Sequence, residues 1–117
     1  MKFDVRPIGW VRKTQTKTRI VLYKKYQAGL EGIERRSEIW VLWWFHRNDN
    51  SRMRSTLKVH PRGNPANPLK GVFATRAPLR PNLIALSRCK IVSVRNNIVE
   101  IDSIDAYPNT PVLDLKP

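Results

Sequence analysis

Acidic residues are missing from nearly half of this sequence. The stretch from Asn50 to Val99 contains no Asp and no Glu, although it holds ten Lys and Arg residues. Over all 117 residues, 22 Lys and Arg stand against 9 Asp and Glu, which gives a formal net charge of +13. Such an excess indicates a polyanionic partner, and nucleic acid is favoured over a membrane because no basic amphipathic helix is visible. The alternative is that the charge serves only solubility, which does not require an acid-free window.

Cysteine, histidine and long apolar runs are also scarce. The single cysteine, Cys89, excludes an internal disulfide, and with only two histidines it argues against a Cys/His zinc site. The longest apolar run, Ile39–Phe45, has seven residues, whereas a membrane-spanning helix needs about 20. No apolar segment with a cleavage site follows Met1. The sequence therefore predicts a cytoplasmic protein without a metal site or a membrane anchor.

The common catalytic motifs are absent too. The sequence contains no G-x-G-x-x-G, no P-loop and no G-x-S-x-G, so a Rossmann-type methyltransferase or oxidoreductase has no support. Asp102 and Asp105 are the only close acids in the basic half, and they support paired-carboxylate hydrolysis only weakly. Composition and spacing by themselves predict a small basic β domain that binds RNA or DNA.

Short apolar alternations separated by turn residues predict a single all-β domain over residues 1–117, a barrel or a sandwich. The continuous apolar run near residue 40 predicts a central strand covered on both faces, with Trp40, Trp43 and Trp44 in the core or at a dimer interface. Cys89 is predicted to be a small core residue. The predicted strands are Val5–Arg12, Arg19–Tyr23, Glu38–His46, Leu57–His60, Val72–Thr75, Leu86–Val94, Ile98–Ile104 and Val112–Leu115.

Three kinds of loop connect these strands. Asn96-Asn97 predicts a hairpin turn between Leu86–Val94 and Ile98–Ile104, because Asn tolerates positive φ. Gln27–Arg36 predicts a loop with a helical turn. The segments His60–Pro68 and Arg76–Pro81 are rich in proline, which fixes φ and removes donors, and they predict stiff loops that present a site.

One twelve-residue string is specific. Gly71 to Asn82 reads Gly-Val-Phe-Ala-Thr-Arg-Ala-Pro-Leu-Arg-Pro-Asn and closely resembles the signature of the TsaA-like, or TrmO, family, G-V/I-F-A-T-R-S-P-x-R-P-N. Further blocks resemble the family in the same order, so the resemblance covers essentially the whole chain. These blocks are Pro7-Ile8-Gly9, Gly29–Glu34, Ser37–His46, Val59–Asn64 and Thr110–Pro117.

The resemblance implies a fold and an activity. The fold is all-β, a small closed or partly open β-barrel with Pro-rich loops and at most a short helical turn, working as a homodimer. The activity is S-adenosylmethionine-dependent methylation of N6 of N6-threonylcarbamoyladenosine, the modified base beside the tRNA anticodon. A tRNA partner agrees with the charge, because Lys and Arg contacts to phosphates supply most non-specific affinity.

The resemblance also implies site residues, although it names no proton acceptor. Arg76 is implied to pair with the methionine carboxylate of the cofactor, and Asp105 to face its sulfonium or a ribose hydroxyl. The implied cofactor-binding residues are His46, Arg47, Arg76, Leu86, Asp105, Ala106, Tyr107 and Pro108, and the implied substrate or RNA contacts are Arg62, Arg80 and Asn82. Six N-terminal bases are either a phosphate track or a solvated face: Arg12, Lys13, Lys17, Arg19, Lys24 and Lys25.

The sequence departs from the family pattern at several positions. Pro108-Asn109 replaces the Asp-Gly of the family's D-x-x-D-G loop, which removes a carboxylate, and Leu83 and Ala85 replace a Pro and a Gly. The family's C-terminal domain has no counterpart in these residues, so the barrel itself is expected to hold the RNA. The lost carboxylate motivates an alternative, a tRNA-binding module without catalysis. The charge argues against a third possibility, a small-molecule methyltransferase.

Overall fold

The structure, a computed structural model, describes all 117 residues and divides into two compact units. We call Met1–Trp44 with Leu86–Pro117 the barrel unit, and Phe45–Ala85 the inserted unit. The strands are β1 (Gly9–Lys13), β2 (Thr18–Leu22), β3 (Glu38–Trp44), β4 (Lys58–Val59), β5 (Lys70–Gly71), β6 (Ile84–Arg95), β7 (Ile98–Ile101) and β8 (Pro111–Lys116). The one α-helix is α1 (Ser51–Ser55), and 3-10 turns cover Lys24–Leu30, Ile33–Arg35, His46–Asn48, Pro61–Gly63 and Val72–Ala74.

Six strands close into a barrel in the order β1-β2-β7-β6-β3-β8. Strand β1 completes the ring because it pairs antiparallel with both β2 and β8. Branched side chains fill the interior, and those fully excluded from solvent include Val11, Ile20, Val41, Val99 and Val112. A closed sheet has no unpaired edge along which another chain can add. The predicted barrel is confirmed, and it is closed.

Gly9 marks the closest approach of β1 to β2. It pairs with Leu22 on β2 and with Val112 on β8. A Cβ atom at this position would collide with the carbonyl oxygen of Val21 and lie 2.8 Å from the Cα of Leu22. The colliding atoms belong to the backbone of the ring, so they cannot rotate away as a side chain does. This position of the barrel therefore requires glycine.

Strand β3 is buried on one face only. Ile39, Val41 and Trp43 point into the core, whereas Trp40 and Leu42 on the other face are half-buried. The Trp43 indole N–H donates to Ser87 Oγ at 2.9 Å, which satisfies its one polar group inside the barrel. The prediction of a strand covered on both faces is wrong for this unit, because an uninterrupted apolar run hides the alternation that burial imposes.

The other predicted elements divide into confirmed and wrong ones. The β6–β7 hairpin is confirmed, and Asn96 in its turn has a φ of 54°. The predicted strand Val72–Thr75 is wrong: Thr75 N–H and Thr75 Oγ1 both donate to the Val72 carbonyl, which curls the segment into a 3-10 turn. Helix α1, capped by Asn50 Oδ1 accepting from Met53 N–H at 2.9 Å, exceeds the single helical turn that we expected.

Cys89 is a buried core residue of β6, as predicted. Burial, reinforced by the nearby carboxylates of Asp102 and Asp105, raises the pKa of its thiol to about 11. The thiol therefore stays protonated at neutral pH, and a protonated thiol is a poor nucleophile.

We expect Thr110→Val to raise the free energy of unfolding by about 1 kcal/mol, the order of the desolvation penalty of an unpaired hydroxyl. Thr110 is fully buried, and its Oγ1 has no hydrogen-bond partner. Thr75→Val is the matched control, because Thr75 Oγ1 donates to Val72 O and accepts from Ala77 N–H, so this change should destabilise. Urea unfolding of both variants measures the difference, and a less stable Thr110→Val would contradict the expectation.

Candidate functional site

An open cleft of about 980 Å³ lies in the inserted unit. It is bounded by α1, by the Pro61–Gly63 turn and by the loop that follows Val72–Ala74. No carboxylate lines it, because this unit falls within the acid-free half of the sequence apart from Asp49. Its charged or titratable lining residues are Arg52, Lys58, His60, Arg62, Lys70 and Arg76. The cleft is therefore built to accept an anion.

The loop that carries Arg62 is held by its own side chains. Asn67 Nδ2 donates to the Pro61 carbonyl at 2.8 Å. His60 Nδ1 lies 2.7 Å from the Asn67 carbonyl oxygen, and because a carbonyl oxygen only accepts, this nitrogen carries the proton. Asn64 Oδ1 accepts from Ala66 N–H at 3.0 Å. These bonds make a stiff platform beside the cleft.

Arg62 itself has a left-handed backbone, with φ at 60° and ψ at 21°. The left-handed region costs an L residue with a Cβ about 1–2 kcal/mol, and such residues cluster at functional sites. The other non-glycine residues with positive φ are Asn96 and Asn109, and asparagine adopts this conformation readily. Arg62 thus combines backbone strain, exposure and a position on the cleft wall.

A second loop, residues 75–80, carries Arg76 into the cleft lining. It is joined to the His46–Asn48 turn, since Asn48 Nδ2 donates to the Pro78 carbonyl at 3.0 Å. That turn follows β3 and holds the exposed residues His46 and Arg47. The inserted unit therefore connects the segments that carry three of the predicted cofactor-binding residues.

The remaining predicted cofactor residues lie in the barrel unit. Asp105, Tyr107 and Pro108 are exposed in the loop between β7 and β8, whereas Ala106 is buried. Leu86 lies on the outward face of β6 and is 39% exposed.

Asn109 closes the 105–110 loop in the way a glycine would. Its φ is 70°, and its N–H donates to the Val11 carbonyl at 2.7 Å. Thr110 N–H donates to the Tyr107 carbonyl at 3.2 Å. On the other side, Lys13 Nζ donates to the Ile104 carbonyl at 2.7 Å, so this ammonium group supports the loop instead of a phosphate track. The turn shape expected of the family's Asp-Gly survives in Pro-Asn.

Of the three predicted RNA contacts, only one lies in the lining of the cleft. Arg62 lines the cleft, and Asn82 is exposed just before β6. The guanidinium of Arg80 turns into its own loop and is not part of the cleft lining. Four lining residues were not singled out from the sequence: Arg52, Lys58, His60 and Lys70. The acid-free window contained them all, but it does not indicate which bases converge.

The structure contains neither a metal site nor a membrane-spanning helix. Side chains of His, Cys, Asp and Glu nowhere gather in a group of three that would hold a metal ion. None of the helices has the length and apolar character needed to cross a membrane.

The fold and the site define a class, small basic β-barrel proteins with an acid-free cleft. Within that class, residues 4–117 match the family model described as the tRNA-methyltransferase O N-terminal domain, and the chain belongs to this family. A probable S-adenosyl-L-methionine-binding protein of Methanocaldococcus jannaschii is 46% identical over 114 residues, 97% of this chain and 90% of that protein. A tRNA (adenine(37)-N6)-methyltransferase of Rattus norvegicus is 38% identical over 101 residues, 86% of this chain but 23% of that protein.

Solved structures agree with the family assignment. The crystal structure of TrmO from Pseudomonas aeruginosa superposes with a TM-score of 0.75 at 29% identity, covering 100% of this chain and 56% of that one. Another crystal structure of TrmO gives a TM-score of 0.76 at 30% identity and covers 57% of its chain. The chain thus spans somewhat more than half the length of these solved proteins.

Proposed function

We propose that this chain transfers the methyl group of S-adenosylmethionine to N6 of N6-threonylcarbamoyladenosine in tRNA. The observation that carries the proposal is the acid-free cleft, because its lining includes both the signature residue Arg76 and the strained Arg62. The match to the family, which extends over residues 4–117, also supports it. The names of the archaeal and rat relatives support the cofactor and the methylation of N6 of an adenine in tRNA, and the family resemblance of the sequence suggests the threonylcarbamoyl group on that adenine. Because the proposed substrate is tRNA, we also propose that the protein acts in the cytoplasm.

S-adenosylmethionine supplies a methyl group made electrophilic by the adjacent sulfonium. Arg76 fits the carboxylate of its methionine part, because a guanidinium donates two parallel hydrogen bonds to a carboxylate and the residue is exposed in the cleft lining. Asp105 is an exposed carboxylate, suited to a ribose hydroxyl or to the sulfonium charge. We further assign cofactor contacts to His46 and Arg47 beside the 75–80 loop and to Leu86 in the barrel unit, whereas Ala106 is buried and offers the cofactor no surface.

The backbone of the turn after Asp105 limits the hydrogen bonds that this turn can form with the adenine of the cofactor. Pro108 has no N–H, and the N–H groups of Asn109 and Thr110 already donate to Val11 and Tyr107. The backbone of residues 108–110 can therefore offer adenine only acceptors. The exocyclic amino group of adenine is a donor, so the backbone carbonyls of this turn fit that edge.

The basic side chains that line the cleft are suited to bind tRNA, a polyanion. We propose that Arg62, Asn82 and the lining residues Arg52, Lys58 and Lys70 contact tRNA phosphates or the threonyl carboxylate, since each phosphate contact releases counterions and strengthens binding. Their convergence in one acid-free cleft supports this assignment.

We also propose that the chain works as a homodimer through the outward face of β3. Trp40 and Leu42 are half-buried there, and Arg88 stacks 5.9 Å from the Trp40 ring while it donates to Glu38 at 2.7 Å. An apolar stripe with its own charge pair is suited to a second copy of the same stripe. Light scattering across protein concentration tests this, with a constant monomer mass as the contradicting result.

Nucleoside mass spectrometry tests the reaction. tRNA carrying threonylcarbamoyladenosine, incubated with the protein and S-adenosylmethionine, should yield a nucleoside heavier by one methylene unit at the expense of the parent peak. A tRNA transcript without the modification is the control and should remain unmethylated. An unchanged parent peak would refute methyl transfer.

The alternative function, a tRNA-binding module without catalysis, is favoured by one observation: Pro108 stands where the family has a second carboxylate. It predicts tRNA binding with no methylated product. If the same preparation binds tRNA but releases no heat on titration with S-adenosylmethionine, this alternative replaces the enzyme.

A further inference from the structure

We propose that Arg80 is a positioning residue that fixes the loop presenting Arg76, and that it does not itself contact RNA. The proposal rests on the proposed function, since Arg76 is taken as a cofactor contact. The sequence suggests that Arg80 contacts the substrate or RNA, and the proposal differs from that role. A sequence shows the charge of an arginine but not which groups its guanidinium faces.

The hydrogen bonds of Arg80 run to the two backbone groups that flank Arg76. Its Nη1 donates to the Ala77 carbonyl at 3.0 Å and to the Thr75 carbonyl at 3.3 Å. The side chain is part-buried, whereas Arg76 is exposed and lines the cleft. The two arginines therefore do different work: one is turned toward the backbone, and the other toward the open cleft.

Thr75 reinforces the same loop from inside. Its Oγ1 accepts from Ala77 N–H at 3.1 Å and donates to the Val72 carbonyl at 3.0 Å. Both the N–H and the C=O of Ala77 are thus engaged, one by Thr75 and the other by Arg80. With Asn48 holding the Pro78 carbonyl, the loop is bonded on both sides of Arg76. A loop fixed before binding loses less conformational entropy when the ligand arrives.

Lysine cannot replace Arg80 in this role. The guanidinium is a rigid planar donor that remains charged at all accessible pH values, and a charge-assisted bond to a carbonyl is stronger than a neutral one. An ammonium group keeps the charge but presents different donor geometry on a more flexible stem. Arg80→Lys therefore separates the two roles, since a phosphate contact needs mainly charge whereas a loop support needs shape.

The test compares Arg80→Lys with Lys70→Ala, an exposed base of the cleft lining. For Arg80→Lys we expect the Ala77 amide of the ligand-free protein to exchange about ten-fold faster with solvent deuterium, since a supporting bond to that residue is weakened. The dissociation constant for S-adenosylmethionine should rise about five- to ten-fold. The slope of log affinity for tRNA against log salt should stay unchanged. For Lys70→Ala we expect the opposite pattern. The affinity for S-adenosylmethionine should stay unchanged, and the slope of log affinity for tRNA against log salt should become shallower by about one.

A KM-against-kcat comparison adds a readout that a purely structural role would not move. Arg80→Lys should raise KM for S-adenosylmethionine and leave KM for tRNA and the thermal midpoint unchanged. Unchanged Ala77 exchange or unchanged cofactor affinity for Arg80→Lys would each overturn the positioning role. If instead the parent protein binds no S-adenosylmethionine, the proposed function fails, while Ala77 exchange still decides whether Arg80 supports the loop.

Discussion

Gly9→Ala should destabilise the protein by about 3 kcal/mol, the upper range for overpacking a well-packed interior. The added methyl group would collide with the Val21 carbonyl and lie 2.8 Å from Leu22 Cα. Relief requires β1 to move away from β2, yet β1 is also bonded to β8 on its other side. We expect the thermal midpoint to fall by about 12 °C, measurable by circular dichroism.

Gly29→Ala is the matched control for this change. Gly29 is exposed in the 3-10 turn Lys24–Leu30, and a Cβ atom there would have nothing within 4 Å. Its stability should therefore remain within about 0.5 kcal/mol of the parent. A Gly9→Ala protein as stable as Gly29→Ala would mean that the ring is looser between β1 and β2 than the structure describes.

Arg76→Ala should weaken S-adenosylmethionine binding about ten- to a hundred-fold, the effect of losing a hydrogen bond to a charged group. The residue is exposed and lines the cleft from a loop that is hydrogen-bonded on both sides of it, so its loss removes a charged donor from a fixed position. Arg76→Lys should recover only part of the affinity, since lysine keeps the charge but not the planar pair of donors. Titration calorimetry measures all three dissociation constants.

Arg95→Ala serves as the control of equal charge. Arg95 is exposed at the end of β6 and outside the cleft, so its removal should leave cofactor affinity unchanged. Equal loss of affinity in both variants would assign the effect to net charge, and full affinity in Arg76→Ala would remove this residue from the cofactor site.

Short-range patterns in the sequence predict the strands well but leave a barrel and a sandwich open, and the barrel itself follows from the family resemblance. The alternation of β6 and β7 and the Asn96 turn were readable because strand period and turn chemistry act over a few residues. Val72–Ala74 was misjudged because its β-branched and aromatic residues favour a strand, whereas the hydrogen bonds of Thr75 to Val72 form a turn. Helix α1 has five residues, too few for any helical period to appear.

The site is less predictable than the barrel. The signature string indicated Arg76 and the resembling block Val59–Asn64 indicated Arg62, and both line one cleft. His60 and Lys70 had no distinguishing pattern, because they meet only when the loops fold back on one another. The role of Arg80 was also hidden, since sequence shows a charge but not whether a guanidinium faces the cleft or its own backbone.

The path of the chain places the cleft and the ring of strands in separate segments of the sequence. Strands β3 and β6 are hydrogen-bonded neighbours in the closed ring, yet the inserted unit lies between them in sequence. The unit begins and ends at one point, where Phe45 N–H donates to the Leu83 carbonyl at 2.8 Å. A segment whose ends meet behaves as a cassette. Natural variation, or a graft of residues 46–82 from a relative, can thus change the lining of the cleft without changing the sequence of any of the six ring strands.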